Sequence, residues 1–189
     1  LSSVSVRKPR ADSLRNRERL LDAARIGFEQ TGPDISLEEI ARRAEVGIGT
    51  LYRHFPTRDA LVEAVYRREV EALAATVDPL LAEHRPGEAL RRWLHLLVDY
   101  VAAKKLIVAA LAGPTDALYA ASGQLVTASL DRLVATARAA GDVRPDVEAA
   151  DLKRLMAGFF AGSGDPGWAD SARRLVDVLT DGLRGPDRR

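Results

Sequence analysis

The run Ser36-Leu-Glu-Glu39-Ile-Ala-Arg-Arg-Ala44-Glu-Val-Gly47-Ile-Gly-Thr50-Leu-Tyr52-Arg-His54-Phe-Pro56-Thr-Arg58 decides how the rest of the chain is read. Ser36 followed three residues later by Glu39 has the spacing of a capping box. The Ser36 hydroxyl accepts from the Glu39 backbone N–H, and the Glu39 side chain reaches back. The helix so started is short and ends near Ala44, with Leu37, Ile40, Ala41 and Ala44 on its inner face. Glu45-Val46-Gly47 predicts a tight turn in which Gly47 takes the backbone angles a sharp reversal demands. A second helix follows over Ile48–His54. Phe55 precedes Pro56 and is biased away from helix, which stops it. Thr57 then caps a long helix carrying Leu61, Val62, Val65 and Val70, with Asp59 in its first turn, where the helix dipole favours negative charge.

Two short helices, a turn containing glycine and an inward set of Leu37, Ile40, Ala41, Val46 and Leu51 predict a helix-turn-helix. Many all-helical enzymes contain such a corner, so periodicity alone leaves the function open. The outward residues narrow it. A recognition helix places its first residues at base edges. Gly49 and Thr50 are small enough for close approach, and the Thr50 methyl can meet a thymine methyl. Tyr52 and His54 carry polar tips suited to phosphate oxygens. Arg58 puts a cation beside the next helix N-terminus, which itself favours anions. Each residue also has a structural reading: Tyr52 can pack under Leu51 and Phe55, and His54 can cap carbonyls.

Working outward, the chain has 189 residues, of which 47% are apolar and 29% charged. Its 28 Lys and Arg balance 27 Asp and Glu, giving a net charge of +1. That excludes a whole-chain polycation and an acidic disordered tail protein. There is no cysteine, hence no disulfide, thiolate metal site or cysteine nucleophile. No apolar run is long enough to span a membrane. The first ten residues lack the apolar core of a signal peptide, so the expected address is the cytoplasm. Arginine far outnumbers lysine and alanine is abundant, both as a GC-rich coding sequence would give, so arginine content alone argues little. The placement of charge says more. Arg7, Lys8, Arg10, Arg15, Arg17 and Arg19 face only Asp12 and Glu18 in the first nineteen residues. Such an arm is either a solvated end or a phosphate-seeking one. The helix it leads into is predicted over about Asp12–Gln30, with Leu20, Leu21, Ala24 and Phe28 on one stripe and Gly32 as its stop.

Glu18–Phe28 (ERLLDAARIGF), Ile35–Ala41 (ISLEEIA), Val46–Phe55 (VGIGTLYRHF) and Arg58–Leu61 (RDAL) together closely resemble the TetR family of bacterial transcriptional repressors, over roughly residues 14–70. The Thr50-Leu51-Tyr52-x-His54-Phe55 run after a helix and turn is the specific part. The resemblance implies an all-α chain of about nine helices: a basic arm over 1–11, a helix-turn-helix DNA-binding domain over 12–56, and a helical effector-binding and dimerisation domain over 57–189, with 57–84 as a linking helix. It implies that Ile48, Gly49, Thr50 and Arg53 face bases, with Tyr52 at the base–phosphate boundary. It also implies that Ser36, His54, Thr57 and Arg58 face phosphates. Arg58 stands where the family often has Lys, and Pro56 where a polar residue is common, which can cost one backbone contact.

Residues 86–184 carry helical stripes but no comparable motif. Leu90, Trp93, Leu94, Leu97, Val98 and Val101 predict a central helix over Glu88–Val101. A further long helix is predicted after Thr115, one capped by Asp146, and a last one over Trp168–Leu183. The resemblance makes Leu152, Leu155 and Phe160, with Ala172, Leu175, Val176, Leu179 and Leu183, the expected dimer interface; the same stripes can instead face the subunit's own core. A recognition helix reads only a few base pairs, so a two-fold dimer on a palindrome is the economical arrangement. Embedded polar groups, His95, Asp99, Tyr100, Tyr119 and Gln124, mark a candidate effector pocket walled by Trp93, Met156 and Phe159. His54, His84 and His95 lack metal-ligand spacing, and no hydrolase or phosphate-loop motif is present. No cofactor or metal is expected. The expected partners are operator DNA, a second copy of the chain and a small-molecule effector, with no membrane. The expected function is a ligand-released repressor. An activator or ligand-independent regulator would carry the same motifs, and an all-helical enzyme would need a catalytic constellation that the sequence does not offer.

Overall fold

A computed structural model describes residues 9–111, 116–161 and 165–184. Among these residues there are nine helices and no strand: α1 (Pro9–Thr31), α2 (Leu37–Arg43), α3 (Ile48–His54), α4 (Arg58–Ala75), α5 (Val77–Glu83), α6 (Pro86–Val108), α7 (Asp116–Ala139), α8 (Ala149–Ala161) and α9 (Trp168–Gly182). The chain forms two compact units, the division falling inside α4 between Tyr66 and Arg67, with Lys105–Leu111 belonging to the first.

In the first unit, Leu20, Leu21, Ala24 and Phe28 of α1 are buried, as their stripe requires. Ile40 and Ala41 of α2, Leu51 of α3 and Leu61, Val62 and Val65 of α4 complete the core. The helix α1 begins at Pro9, earlier than its stripe suggests; a proline at the first helical position gives up only an N–H that would be unpaired there anyway. Residues 1–8 of the expected arm lie outside the described residues. Gly32 ends α1 with φ +99°, the left-handed conformation in which glycine is favoured.

The α2–α3 turn is built differently from the expectation. Gly47 has φ −63° and ψ 142°, ordinary extended backbone, and caps α3. The left-handed residue is Glu45, with φ 52°. The chain reverses immediately after the C-cap Ala44, so the strained position falls two residues past the end of α2 and not at the glycine. Glu45 pairs there with Arg19.

Half of the capping box forms. Glu39 N–H donates to Ser36 Oγ at 3.1 Å. The Glu39 carboxylate does not complete the box; it accepts from Arg42 Nε and Nη2, both at 2.7 Å, and from Arg43 Nε at 2.8 Å. The bonds from Arg42, then those from Arg43, pull the Glu39 carboxyl down from 4.5 to about 2. A folded-state value below the unfolded one stabilises fully above about pH 4.5 and is lost as pH falls through about 2. Replacing Glu39 by Gln is therefore expected to flatten the acid limb of the stability profile over that window, as read by urea midpoints.

The second unit holds a core of Trp93, Leu94, Leu97 and Val98 from α6, Leu130, Leu133 and Val134 from α7, Leu152 and Met156 from α8, and Ala172 and Val176 from α9. Its linking stretch is two helices and not one. Pro79 has no N–H for the carbonyl of Ala75 and its ring would clash there, so α4 stops at Ala75 and Thr76 turns the chain, its hydroxyl donating to Leu73 O at 2.7 Å. Asp146 does not cap α8. Arg144 holds it in a two-pronged pair at 2.6 and 2.7 Å, and Asp151 Oδ2 instead accepts from the Glu148 backbone N–H at 3.0 Å. The cap thus lies two residues further on, where α8 begins.

Candidate nucleic-acid interface

Burial of Leu51 and Phe55 fixes the rotation of α3 about its own axis. The opposite face carries Ile48, Gly49, Tyr52 and Arg53, spaced i, i+1, i+4 and i+5 along seven residues. Ile48 is 39% exposed and Tyr52 46%, although both are large apolar-bodied side chains. An added Cβ at Gly49 would meet nothing within 4 Å, so packing within the subunit does not demand a small residue there.

Thr50 is half-buried, and its hydroxyl accepts from Arg53 Nη2 at 2.7 Å. Arg53 Nε also donates to Gly49 O at 3.2 Å, so this cation lies along its own helix. His54 is half-buried, its ring tilted 6.2 Å from that of Phe55. Ser36 and Thr57 are exposed caps whose oxygens accept from Glu39 N–H and Ala60 N–H, both at 3.1 Å. Each hydroxyl therefore keeps its own proton to donate outward.

Arg58 is placed otherwise than its charge alone suggests. Its Nη1 donates to Ile35 O at 2.6 Å, its Nη2 donates to Pro33 O, and its guanidinium carbon lies 5.9 Å from the Phe28 ring centre. The structure also adds a residue that sequence reasoning counted only as arm charge. Arg17 lies on α1 with its guanidinium 5.4 Å from the Phe55 ring centre, next to the C-terminal end of α3. No sequence signal couples positions 17 and 55; only the packing of α1 on α3 does.

In the second unit several of the candidate pocket residues are packed into the core or paired with neighbours. Trp93 and Met156 are core residues, and Trp93 Nε1 donates to Leu73 O at 3.2 Å. His95 Nε2 lies 2.8 Å from Asp177 Oδ1, a contact that requires the ring proton on Nε2, and Arg91 Nε donates to the same oxygen at 2.9 Å. Those bonds, that of His95 first, hold the Asp177 carboxyl below its ordinary value. Asp99 is paired with Arg173 at 2.5 Å. Tyr100 and Phe159 are half-buried against the core and Gln124 is exposed. The side chain of Tyr119 lies outside the described residues. A cleft of about 290 Å³ opens elsewhere in this unit, lined by Arg85, Glu88, Arg91, Asp142, Thr180 and Leu183 among others.

The stripes expected to form a dimer interface divide between two directions. Leu152, Ala172, Val176 and Leu183 are buried in the subunit's own core and have no surface to offer. Phe160 and Leu179 are half-buried against that core. Leu155 and Leu175 are exposed, and so is Val178, which the stripe did not include. A stripe wider than one contact line serves the core along one edge and leaves the other edge bare.

Known families match two separate stretches of the chain. The family described as "Bacterial regulatory proteins, tetR family" matches residues 20–65, and "Transcriptional regulator SbtR-like, C-terminal domain" matches residues 85–185. The chain belongs to the TetR family. Among solved structures, the TetR transcriptional regulator SCO0520 from Streptomyces coelicolor is 43% identical, with 90% of this chain and 99% of that one aligned at a TM-score of 0.77. A TetR transcription regulatory protein from Mycobacterium vanbaalenii is 38% identical over 94% of this chain and 100% of that one, at a TM-score of 0.78. The HTH-type transcriptional regulator SAR0097 of Staphylococcus aureus is 36% identical over 81 residues, and that match spans only 42% of its length. The TetR-family match places a helix-turn-helix sequence on α2 and α3, where the exposed Ile48–Arg53 face lies.

Proposed function

We propose that this TetR-family chain is a sequence-specific DNA-binding repressor, acting as a homodimer on a palindromic operator and released by a small molecule bound in its second unit. One observation carries the DNA-binding part. The outward face of α3 exposes Ile48 and Tyr52 around a glycine that the folded subunit does not need, between two exposed capping hydroxyls, Ser36 and Thr57. A face shaped for close approach and rimmed by donors suits the edge of a groove and its phosphates. Relatives named as transcriptional regulators, SAR0097, UidR and SCO0520 among them, support the same reading. Release follows from linkage: the effector must bind the DNA-incompetent state more tightly, and DNA must in turn weaken the effector.

Selecting duplexes from a randomised library with the full chain tests this directly. A palindromic consensus is expected, and a pool that stays random would overturn the reading. Ligand release is tested by a thermal-shift screen, whose hits must weaken binding to the selected duplex. Removing residues 1–8, which takes away Arg7 and Lys8, is expected to lower the slope of log affinity against log salt by up to about 1.8 per subunit, since each phosphate no longer neutralised lowers it by about 0.9. An unchanged slope would mean that those charges never reach DNA.

A further inference from the structure

The cleft of about 290 Å³ in the second unit is walled by three elements: the start of α6, the turn between α7 and α8, and the end of α9. Gly87 lets two of these walls meet, because a Cβ there would come 2.8 Å from Asp142 Cβ. The floor is apolar, with Leu90, Val143 and Leu183 all buried. Thr180 also lines it, buried, and its hydroxyl donates to Val176 O at 2.9 Å.

The rim is cationic. Arg85 and Arg184 are exposed there and Arg91 is half-buried. Each is steadied by one carboxylate: Arg85 by Asp142 at 2.8 Å, Arg91 by Asp177 at 2.8 Å, and Arg184 by Asp181 at 3.3 Å. Those contacts take only part of a guanidinium's five donors, so the rim keeps N–H groups to offer. The acids that line the cleft are engaged. Glu88 accepts from Arg92 Nε at 2.7 Å. Asp142 accepts from Arg85 with one oxygen and from the Gly87 backbone N–H, at 3.1 Å, with the other. Donors left over and acceptors engaged select an anion, and planar guanidinium forks suit a carboxylate. The apolar floor selects an apolar body. At about 30 Å³ for each water-sized group, the cleft holds about ten non-hydrogen atoms.

We propose that this cleft binds a small monocarboxylate with an apolar tail, the carboxylate held between the rim arginines and the tail laid on Leu90, Val143 and Leu183. This names an effector class for the ligand-released reading and rests on that reading for its consequence, not for the binding itself. A ligand that shares Arg91 and Arg184 with Asp177 and Asp181 pulls on α9, whose exposed Leu175 belongs to the proposed dimer contact.

Octanoate fits that size and is the probe, titrated into the full chain by calorimetry. A dissociation constant below about 1 mM is expected, with acetate and 1-octanol each at least about tenfold weaker. Arg91→Gln and Arg184→Gln are each expected to weaken octanoate about tenfold, the loss of one hydrogen bond to a charged group. Absence of octanoate binding overturns the proposal. So does equal binding of 1-octanol, and so do arginine variants that stay helical by circular dichroism and bind as well as the wild type. Methyl NMR of the wild-type protein needs no variant to fold. Octanoate is expected to shift the methyl groups of Leu90, Val143 and Leu183. Shifts centred on Leu97 and Met156 instead would place the ligand in the core of the unit and overturn the proposal. Octanoate that shifts the cleft methyls and leaves affinity for the selected duplex unchanged supports the site and overturns ligand release, so the two failures are distinguishable.

Discussion

Replacing Thr50 and Tyr52 together by alanine is expected to weaken binding to the selected duplex by at least about 100-fold, while binding to unrelated DNA barely changes. The size follows from the geometry of the helix. Contacts to base edges are worth roughly 1–3 kcal/mol each, and a two-fold dimer loses each of them twice. Even the low end of that range exceeds the roughly 2.7 kcal/mol that a 100-fold change represents. On the proposed reading the non-specific part rests on Ser36, Thr57 and the basic residues, which the double variant leaves in place. Folding should survive, because Tyr52 is 46% exposed and Leu51 and Phe55, which anchor α3, are untouched. A change in unfolding free energy within about 1 kcal/mol is expected. Thr50→Ala also removes the oxygen that holds Arg53 Nη2, so Arg53 is freed and not lost.

A complementary variant separates stability from recognition. Gly49→Leu adds a good helix former where no atom lies within 4 Å of the new Cβ, so the subunit should be at least as stable. The same side chain would stand between α3 and the floor of a groove, so binding to the selected duplex should fall steeply. Selective binding that survives both changes would remove α3 from recognition altogether.

What the sequence made legible follows a physical divide. Local rules governed the helix-turn-helix: the Ser36 cap, the stop at Pro56 and the Thr57 cap each depend on residues within four positions of one another, and each forms as read. Where a local rule had two candidates of similar merit it picked the wrong one. Gly47 was the natural residue for a left-handed turn, yet the reversal falls two residues past α2 and strains Glu45 instead. Partner choice over long distances had no sequence signal at all. Arg58 meets Pro33 and Ile35, His95 meets Asp177, and Asp99 meets Arg173. Each of those pairings joins elements of the subunit through a side chain that sequence reasoning offered to a ligand. The apolar stripes of α8 and α9 revealed amphipathic helices but not which edge faces inward, since Leu152 and Leu155 read alike until packing separates them.

That separation sets the last expectation, the largest for the assembly. Leu155→Glu together with Leu175→Glu is expected to convert the proposed dimer to a monomer at micromolar concentration and to weaken binding to a palindromic duplex by at least about 100-fold. Leu155 is 46% exposed, Leu175 41% and Val178 69%, while Leu152, Met156, Ala172 and Val176 hold α8 and α9 to the core. The two glutamates therefore leave the subunit's packing intact, and the helical signal should not change. In a two-fold dimer the pair of substitutions appears twice. Completing the burial of each leucine contributes up to about 1 kcal/mol, and glutamate replaces that gain with the cost of desolvating a charge. The loss on DNA then comes from connectivity. Once one half-site is occupied, the second recognition helix of a dimer sees its own half-site at millimolar effective concentration, and a monomer has no such advantage. Sedimentation equilibrium and a binding titration on the same preparations check the two effects together. A variant that remains dimeric places the interface elsewhere on the second unit. A monomer that keeps full affinity shows that each subunit reads DNA alone, and that the palindrome is unnecessary.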